Sequence, residues 1–244
     1  MIQKDSKIGE VVAQNFHTAR IFESHGLDFC CGGKKSIENA CSEKGLNSDD
    51  ILAELESLVN TDHSSTHFEK WEADFLTDYI INNHHTYVTN SVTIIEHHLA
   101  KVVYAHSARH PELKEIENTF LELKADLLEH MAKEERMLFP YIKKLSFAEK
   151  NNIEMPYPPF GSVDNPIKVM EAEHDNAGIY LKKLFDLTNG YTTPQDACAT
   201  YRVVFGELKE FADDLHMHVH LENNVLFPKA KQLEEKLNKH FSTL

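Results

Sequence analysis

The sequence predicts an all-α protein, a four-helix bundle preceded by a small helical domain, and three observations carry that expectation. Proline and glycine punctuation isolates four long segments whose apolar residues recur every three or four positions. No stretch alternates apolar and polar residues in the manner of a half-buried strand. Two of the four segments carry nearly the same pattern, as they would in a pair of related helix hairpins.

Taken in order, residues 1–59 read as short helices broken at Gly26, at the Gly32-Gly33 pair and at Gly45. The cap signal Asn47-Ser48-Asp49 opens the last of them. The polar run from Asn60 to Thr66 reads as a linker, so 60–70 separates this small domain from a second one at 71–244. There the first helix runs from about Trp71 to His106 and stops before Pro111, and the second from about Pro111 to Leu145. A connection containing Pro156, Pro158, Pro159 and Gly161 follows. Asn165-Pro166 supplies an N-cap and a proline at the first helical position of the third, which closes near Thr188 at Asn189-Gly190. Thr193-Pro194 repeats that start signal for a fourth, which reaches Lys239.

The repeat brings the chemistry with it. Residues 130–145 and 218–233 align without a gap and share a His, a Glu, a Leu-Phe-Pro, a Lys and a Leu. Each half holds His-x-x-x-Glu, His130 with Glu134 and His218 with Glu222, and a spacing of four puts both side chains on one helix face. That face is the apolar one. Leu123, Leu127, His130, Glu134, Met137 and Tyr141 follow helical spacing, as do Leu208, Phe211, Leu215, His218, Glu222 and Val225. One further histidine continues the apolar stripe on each remaining helix. His85 follows Trp71, Phe75 and Ile81 and precedes Val88 and Val92, while His174 sits among Ile167, Met170, Ala177 and Leu181. A carboxylate in a core is costly unless a cation or a proton neutralises it. Imidazole with carboxylate suits iron, manganese or zinc, and six such residues exceed the four that a zinc ion usually takes. A dinuclear centre held by four histidines and two glutamates therefore accounts for the pattern better than structural zinc or hydrogen-bonded core histidines.

The other histidines, of sixteen in all, fit the surface or its margin. His84 shares a mixed face with Thr77 and Ser91, which makes it partly exposed or a support to the centre. His216 and His220 lie on a polar face with Asp213, Asn223 and Asn224, and His97, His98, His106 and His110 have no carboxylate four residues on; all are expected at the surface. A net charge of −14 repels nucleic acid and anionic lipid. No uninterrupted apolar run reaches the ~18 residues of a membrane span, and the N-terminus does not read as a signal peptide. Four cysteines, two of them adjacent, do not make a secreted disulfide framework, which favours the cytoplasm. Cys41 and Cys198 fall within helical segments and read as small core or near-surface residues. Cys30 and Cys31 precede two glycines, and a helix opening at Lys34-Lys35 would lower a thiol pKa there. The pair could close a strained disulfide, capture iron, nitric oxide or a partner's sulfur, or simply sit in a tight turn.

Several of these residues also match a known family. With its H-x3-E-x3-L-F-P repeat, Glu173-His174-Asp175 and the run from Leu221 to Pro228, residues 71–239 resemble the hemerythrin-like di-iron bundle. With Asp28-Phe29-Cys30-Cys31-Gly32-Gly33 added, the whole chain resembles the repair-of-iron-centres family of ScdA/YtfE type. The resemblance implies an up-down hemerythrin-like bundle whose two irons are held by His85, His130, His174 and His218. Glu134 and Glu222 would bridge them together with an oxo or hydroxo group. It also implies a functional Cys30-Cys31 pair in a mobile N-terminal domain. The implied role is repair of iron–sulfur clusters damaged by nitrosative or oxidative stress, by iron donation to a damaged protein or a cluster scaffold. The alternative is a di-iron enzyme or sensor acting on nitric oxide, peroxide or oxygen. The expected protein is a cytoplasmic monomer or weak homodimer that binds neither nucleic acid nor membrane.

Overall fold

The structure, a computed structural model, describes residues 2–61, 67–154 and 157–241. Residues 62–66 of the expected linker and Pro156 of the proline-rich connection lie outside them. The chain is all-α, and among the described residues the one extended pairing outside a helix is an isolated bridge between Lys7 and Ser36. In chain order the helices are α1 (Ile8–Gln14), α2 (Ala19–Ser24), α3 (Ile37–Lys44), α4 (Ser48–Thr61), α5 (Ala73–Ile80) and α6 (Thr86–His106). They continue with α7 (Leu113–Lys133), α8 (Phe139–Asn151), α9 (Asp164–Leu187), α10 (Ala199–His220) and α11 (Phe227–Phe241). No described helix is long and apolar enough to cross a membrane.

Three pairs of these helices follow one another through a single π-helical turn: Ile81–His85 between α5 and α6, Glu134–Leu138 between α7 and α8, and Leu221–Leu226 between α10 and α11. A π turn takes one residue more than an α turn, so the inward face moves along by one position. This corrects two of the expected stripes. Phe75 and Met137 are 55% and 54% exposed, while their neighbours Leu76 and Leu138 are buried.

Two compact units divide the chain. One comprises Tyr79–Pro140 and Asn165–His216. Its core is a four-helix bundle in which α6 contributes Val92, Ile95 and Leu99, α7 Ile116, Phe120 and Leu123, α9 Ile167, Met170 and Leu181, and α10 Val204, Leu208 and Phe211. Phe120 meets Phe211 edge-on with centroids 5.6 Å apart. Lys124–Glu96, Lys183–Glu115 and His98–Glu207 pairs tie neighbouring helices across its surface.

At one end of this bundle the expectations need correcting. Thr193-Pro194 does not start the fourth helix. The Ala197 N–H donates to the Pro194 carbonyl, closing a turn that buries Ala197, and the helix begins at Ala199. Cys198 therefore lies just ahead of the helix, exposed. His106 is buried against Tyr201, because four residues beyond Val102 it falls on the core stripe. For the third helix, Ser162 accepts from the Asp164 N–H at 3.2 Å, so Asn165 and Pro166 fall inside the first turn.

His110 joins the same end, with Nδ1 3.0 Å from Glu112 and Nε2 3.0 Å from Asp196. Burial pulls its pKa down, but those two hydrogen bonds and charges outweigh it and leave the pKa above the ordinary value. A raised folded pKa contributes stability that is complete below the unfolded pKa, about 6.5, and is lost as pH rises through the folded value. Between about pH 6 and pH 8 the melting temperature is expected to fall about 1–3 °C further in the parent than in His110→Gln. Parallel melting curves for the two proteins by circular dichroism would refute this.

The other unit comprises Met1–Asp78, Tyr141–Asp164 and Met217–Leu244. Its short helices pack through Ile8, Val12, Phe22, Ile37, Ile51 and Leu55, all buried. Asn47 caps α4 by accepting from the Asp49 N–H at 3.0 Å, and Ser36 caps α3 by accepting from Asn39. Because Ser36 is that cap, Lys34-Lys35 lies in a turn and does not open a helix.

Candidate metal centre

In the bundle unit, His85 and Glu134 stand on the π turns of two helices, His130 on α7 and His174 on α9. All four are buried, with Glu134 fully so. Glu134 Oε2 lies 3.4 Å from His85 Nε2 and 3.4 Å from His130 Nε2, and His130 Nε2 lies 3.0 Å from His174 Nε2. The far sides of the His85 and His130 rings are anchored. His85 Nδ1 meets Glu135 at 2.8 Å, while His130 Nδ1 meets Glu173 at 2.8 Å, and Lys133 holds the other oxygen of Glu173 at 2.7 Å. Burial alone would raise the Glu173 pKa, but the hydrogen bonds from Lys133 and His130 outweigh it and lower the value. A charged acceptor on Nδ1 fixes the tautomer that leaves Nε2 with its lone pair. His84 is buried on the same turn as His85 and pairs with Asp214 at 2.9 Å, so of the two expected places the partly exposed one is excluded.

The geometry fits a metal. For ~2.1 Å metal–nitrogen bonds, adjacent ligands of an octahedral ion are about 3.0 Å apart. His130, Glu134 and His174 offer ligand atoms within 4.8 Å of one another, with two ring nitrogens at that 3.0 Å separation. Nitrogen and carboxylate oxygen converging in a buried space are a donor set for iron, manganese or zinc.

In the other unit, His218 and Glu222 are buried four residues apart, with Nε2 and Oε1 3.0 Å from each other. Here the sequence reading of the neighbours fails. His220, expected at the surface, is fully buried between Phe16 and Phe29, with centroids 6.3 and 5.6 Å away. Burial pushes its pKa down to about 4, so the ring is neutral. A polar helix face can still be an interior one when a segment distant in sequence covers it.

Asn224 makes that cover specific. Its Nδ2 donates to the Phe29 carbonyl at 3.2 Å and the Cys30 carbonyl at 3.1 Å, and lies 3.2 Å from His220 Nδ1. Gly9 and Gly33 flank it so closely that a Cβ added to either would sit 2.3 or 2.5 Å from its Oδ1. Asn223 approaches the Cys30 carbonyl as well, at 3.5 Å. Within this unit the Cys30-Cys31 loop thus rests on the π turn that bears Glu222. The missed signal was the pair of asparagines directly after a core glutamate.

Cys30 is buried and Cys31 half-buried, with their sulfurs 3.8 Å apart and not joined in a disulfide. Cys30 does not have the lowered pKa expected of a helix start. The hydrogen bond to Cys31, burial and the Asp28 carboxylate push its thiol well above the usual range. Cys41 is buried and raised by burial.

Residues 4–59 match ScdA_N, a domain of unknown function, and residues 76–230 match the hemerythrin HHE cation binding domain. The iron-sulfur cluster repair protein ScdA of Staphylococcus haemolyticus is 31% identical over 232 residues, covering 94% of this chain and 99% of that protein. The iron-sulfur cluster repair protein YtfE of Pectobacterium atrosepticum is 33% identical over 230 residues, covering 94% and 98%. Its counterpart in Yersinia pseudotuberculosis is 31% identical over the same length.

Proposed function

The chain belongs to the ScdA/YtfE family of iron–sulfur cluster repair proteins, and from that premise we propose that it restores clusters damaged by nitrosative or oxidative stress. Iron is its cargo, two ions held by His85, His130, His174 and His218 with Glu134 and Glu222. The observation that carries this reading is the buried convergence of His85, His130 and His174 nitrogens with Glu134, each ring of the Glu134 contacts anchored from behind by a carboxylate. Bound there, ferrous iron would supply a labile, redox-active cation for transfer to a damaged protein or a cluster scaffold.

The protein's own part is to hold donor atoms unprotonated and to let them go. Glu135 and Glu173 keep the His85 and His130 protons on Nδ1, leaving Nε2 to bind. Acid competes for those nitrogens and for the carboxylates, so release is easier as pH falls. Residues 1–59 form the cysteine-bearing domain, 60–70 the linker and 71–244 the metal-binding domain. Cys30 and Cys31 receive iron or nitrosyl groups beside the turn that bears Glu222. On this account the protein works in the cytoplasm as a monomer or weak homodimer.

The test loads the protein with an iron isotope and mixes it with a nitric-oxide-damaged [4Fe–4S] enzyme under anaerobic, reducing conditions. Labelled iron should enter the client as its activity returns. Iron that stays while nitric oxide is consumed or bound would overturn donation in favour of an enzyme or a sensor.

A further inference from the structure

We infer that Asp28, Cys30 and Cys31 form a metal site of their own, for one thiophilic divalent cation. One ligand atom from each residue lies within 4.8 Å of the others. The Cys30 and Cys31 sulfurs are 3.8 Å apart, far beyond the ~2.05 Å of a disulfide. Two thiolates on one tetrahedral ion with ~2.3 Å metal–sulfur bonds stand about 3.8 Å apart, the separation found. Asp28 Oδ1 lies 3.2 Å from the Cys30 sulfur. A sulfur and an oxygen on the same ion would be about 3.6 Å apart, so a shift of a few tenths of an ångström completes three corners.

The loop is built to hold this arrangement. Asp28 Oδ1 accepts the N–H groups of Cys30 at 2.9 Å and Cys31 at 3.0 Å, which fixes the carboxylate over the thiols. A Cβ at Gly32 would lie 2.7 Å from the Asp28 carbonyl, and one at Gly33 2.6 Å from the Phe29 carbonyl, so the chain can close this tightly only with glycine at both places. Asn224 clamps the loop from the other side. Asp28 is exposed and Cys31 half-buried, which leaves the fourth corner facing solvent. A site with an open position exchanges its ion more readily than a closed one.

Two thiolates select soft or borderline ions over magnesium and calcium. Binding displaces the two thiol protons to solvent as two metal–sulfur bonds form. No electron moves, and the site's net charge is unchanged. Ferrous iron as the natural occupant rests on the iron-donor reading above; the site itself does not.

The experiment titrates cobalt(II) into reduced, anaerobic full-length protein carrying Cys198→Ser, and follows near-ultraviolet absorption from thiolate to cobalt. Cobalt at the histidines and glutamates cannot produce that band. One equivalent of it is expected, with two protons released, and it should vanish in Cys30→Ser and in Cys31→Ser. Asp28→Asn retains an oxygen for the Cys30 and Cys31 N–H groups, and should bind about tenfold or more weakly. In the protein with native Cys30 and Cys31, cobalt should also protect both residues from alkylation, read by mass spectrometry. Absence of the band, its survival in either serine variant, or undiminished affinity in Asp28→Asn would overturn the site. A cobalt–thiolate band without isotope transfer would uphold the site and remove iron donation; isotope transfer without the band would do the reverse.

Discussion

With Glu134 and Glu222 both changed to alanine, the protein is expected to lose stable iron binding, with affinity falling more than about 100-fold. The two carboxylates lie fully buried, where negative charge is tolerated only beside positive charge. In the parent protein, iron at a thousandfold excess over its dissociation constant adds about 4 kcal/mol of stability, near 10 °C in melting temperature. The double variant should melt at one temperature with or without iron. Anaerobic melting curves and iron retained after gel filtration check both halves. A double variant that keeps its iron, or still gains stability from it, would remove these residues from the centre.

The second large effect concerns Asn224. In Asn224→Ala the Phe29 and Cys30 carbonyls lose their donor and a cavity opens between Gly9 and Gly33. Losing buried hydrogen bonds of this kind costs about 2–3 kcal/mol. Local opening of the cysteine loop should therefore become about 30–150 times more frequent. Cys30, buried in the parent, should react with a thiol reagent faster by the same factor, read in a Cys198→Ser background. Asn224→Asp keeps the shape but removes the donor, and should behave nearly as badly. Gly33→Ala, which drives a methyl group into the Asn224 side chain, belongs to the same class. An unchanged Cys30 rate in all three would mean that the loop is held elsewhere.

The sequence makes the helices legible because their apolar spacing and their proline and glycine breaks act locally, and the repeat singles out His130, Glu134, His218 and Glu222 from many polar residues. Three things escape it. A period of 3.6 cannot register a turn with one extra residue, so Phe75 and Met137 are assigned inward where Leu76 and Leu138 belong. Burial by a distant segment leaves no mark on a helix's own pattern, which is why His220 reads as solvated although Phe16 and Phe29 enclose it. The carboxylates behind the His85 and His130 rings are equally hidden. Glu135 and Glu173 look like ordinary helix-surface charges until His85 and His130 are brought to them from other helices.

The π turns also bear on descent. Each is equivalent to one inserted residue that has survived inside a long helix. The insertions at Glu134–Leu138 and Leu221–Leu226 occupy matching places in the two copies of the repeat, whereas the one at Ile81–His85 has no partner in the unbroken helix Asp164–Leu187. If one ancestral hairpin was copied, the matched pair dates from before the copying and the unmatched turn marks a later divergence of the halves. Deleting one residue from any of the three would restore ordinary helical spacing and turn everything downstream by about 100°. Single-residue deletions that elsewhere in a helix end are harmless should therefore be purged at these three places.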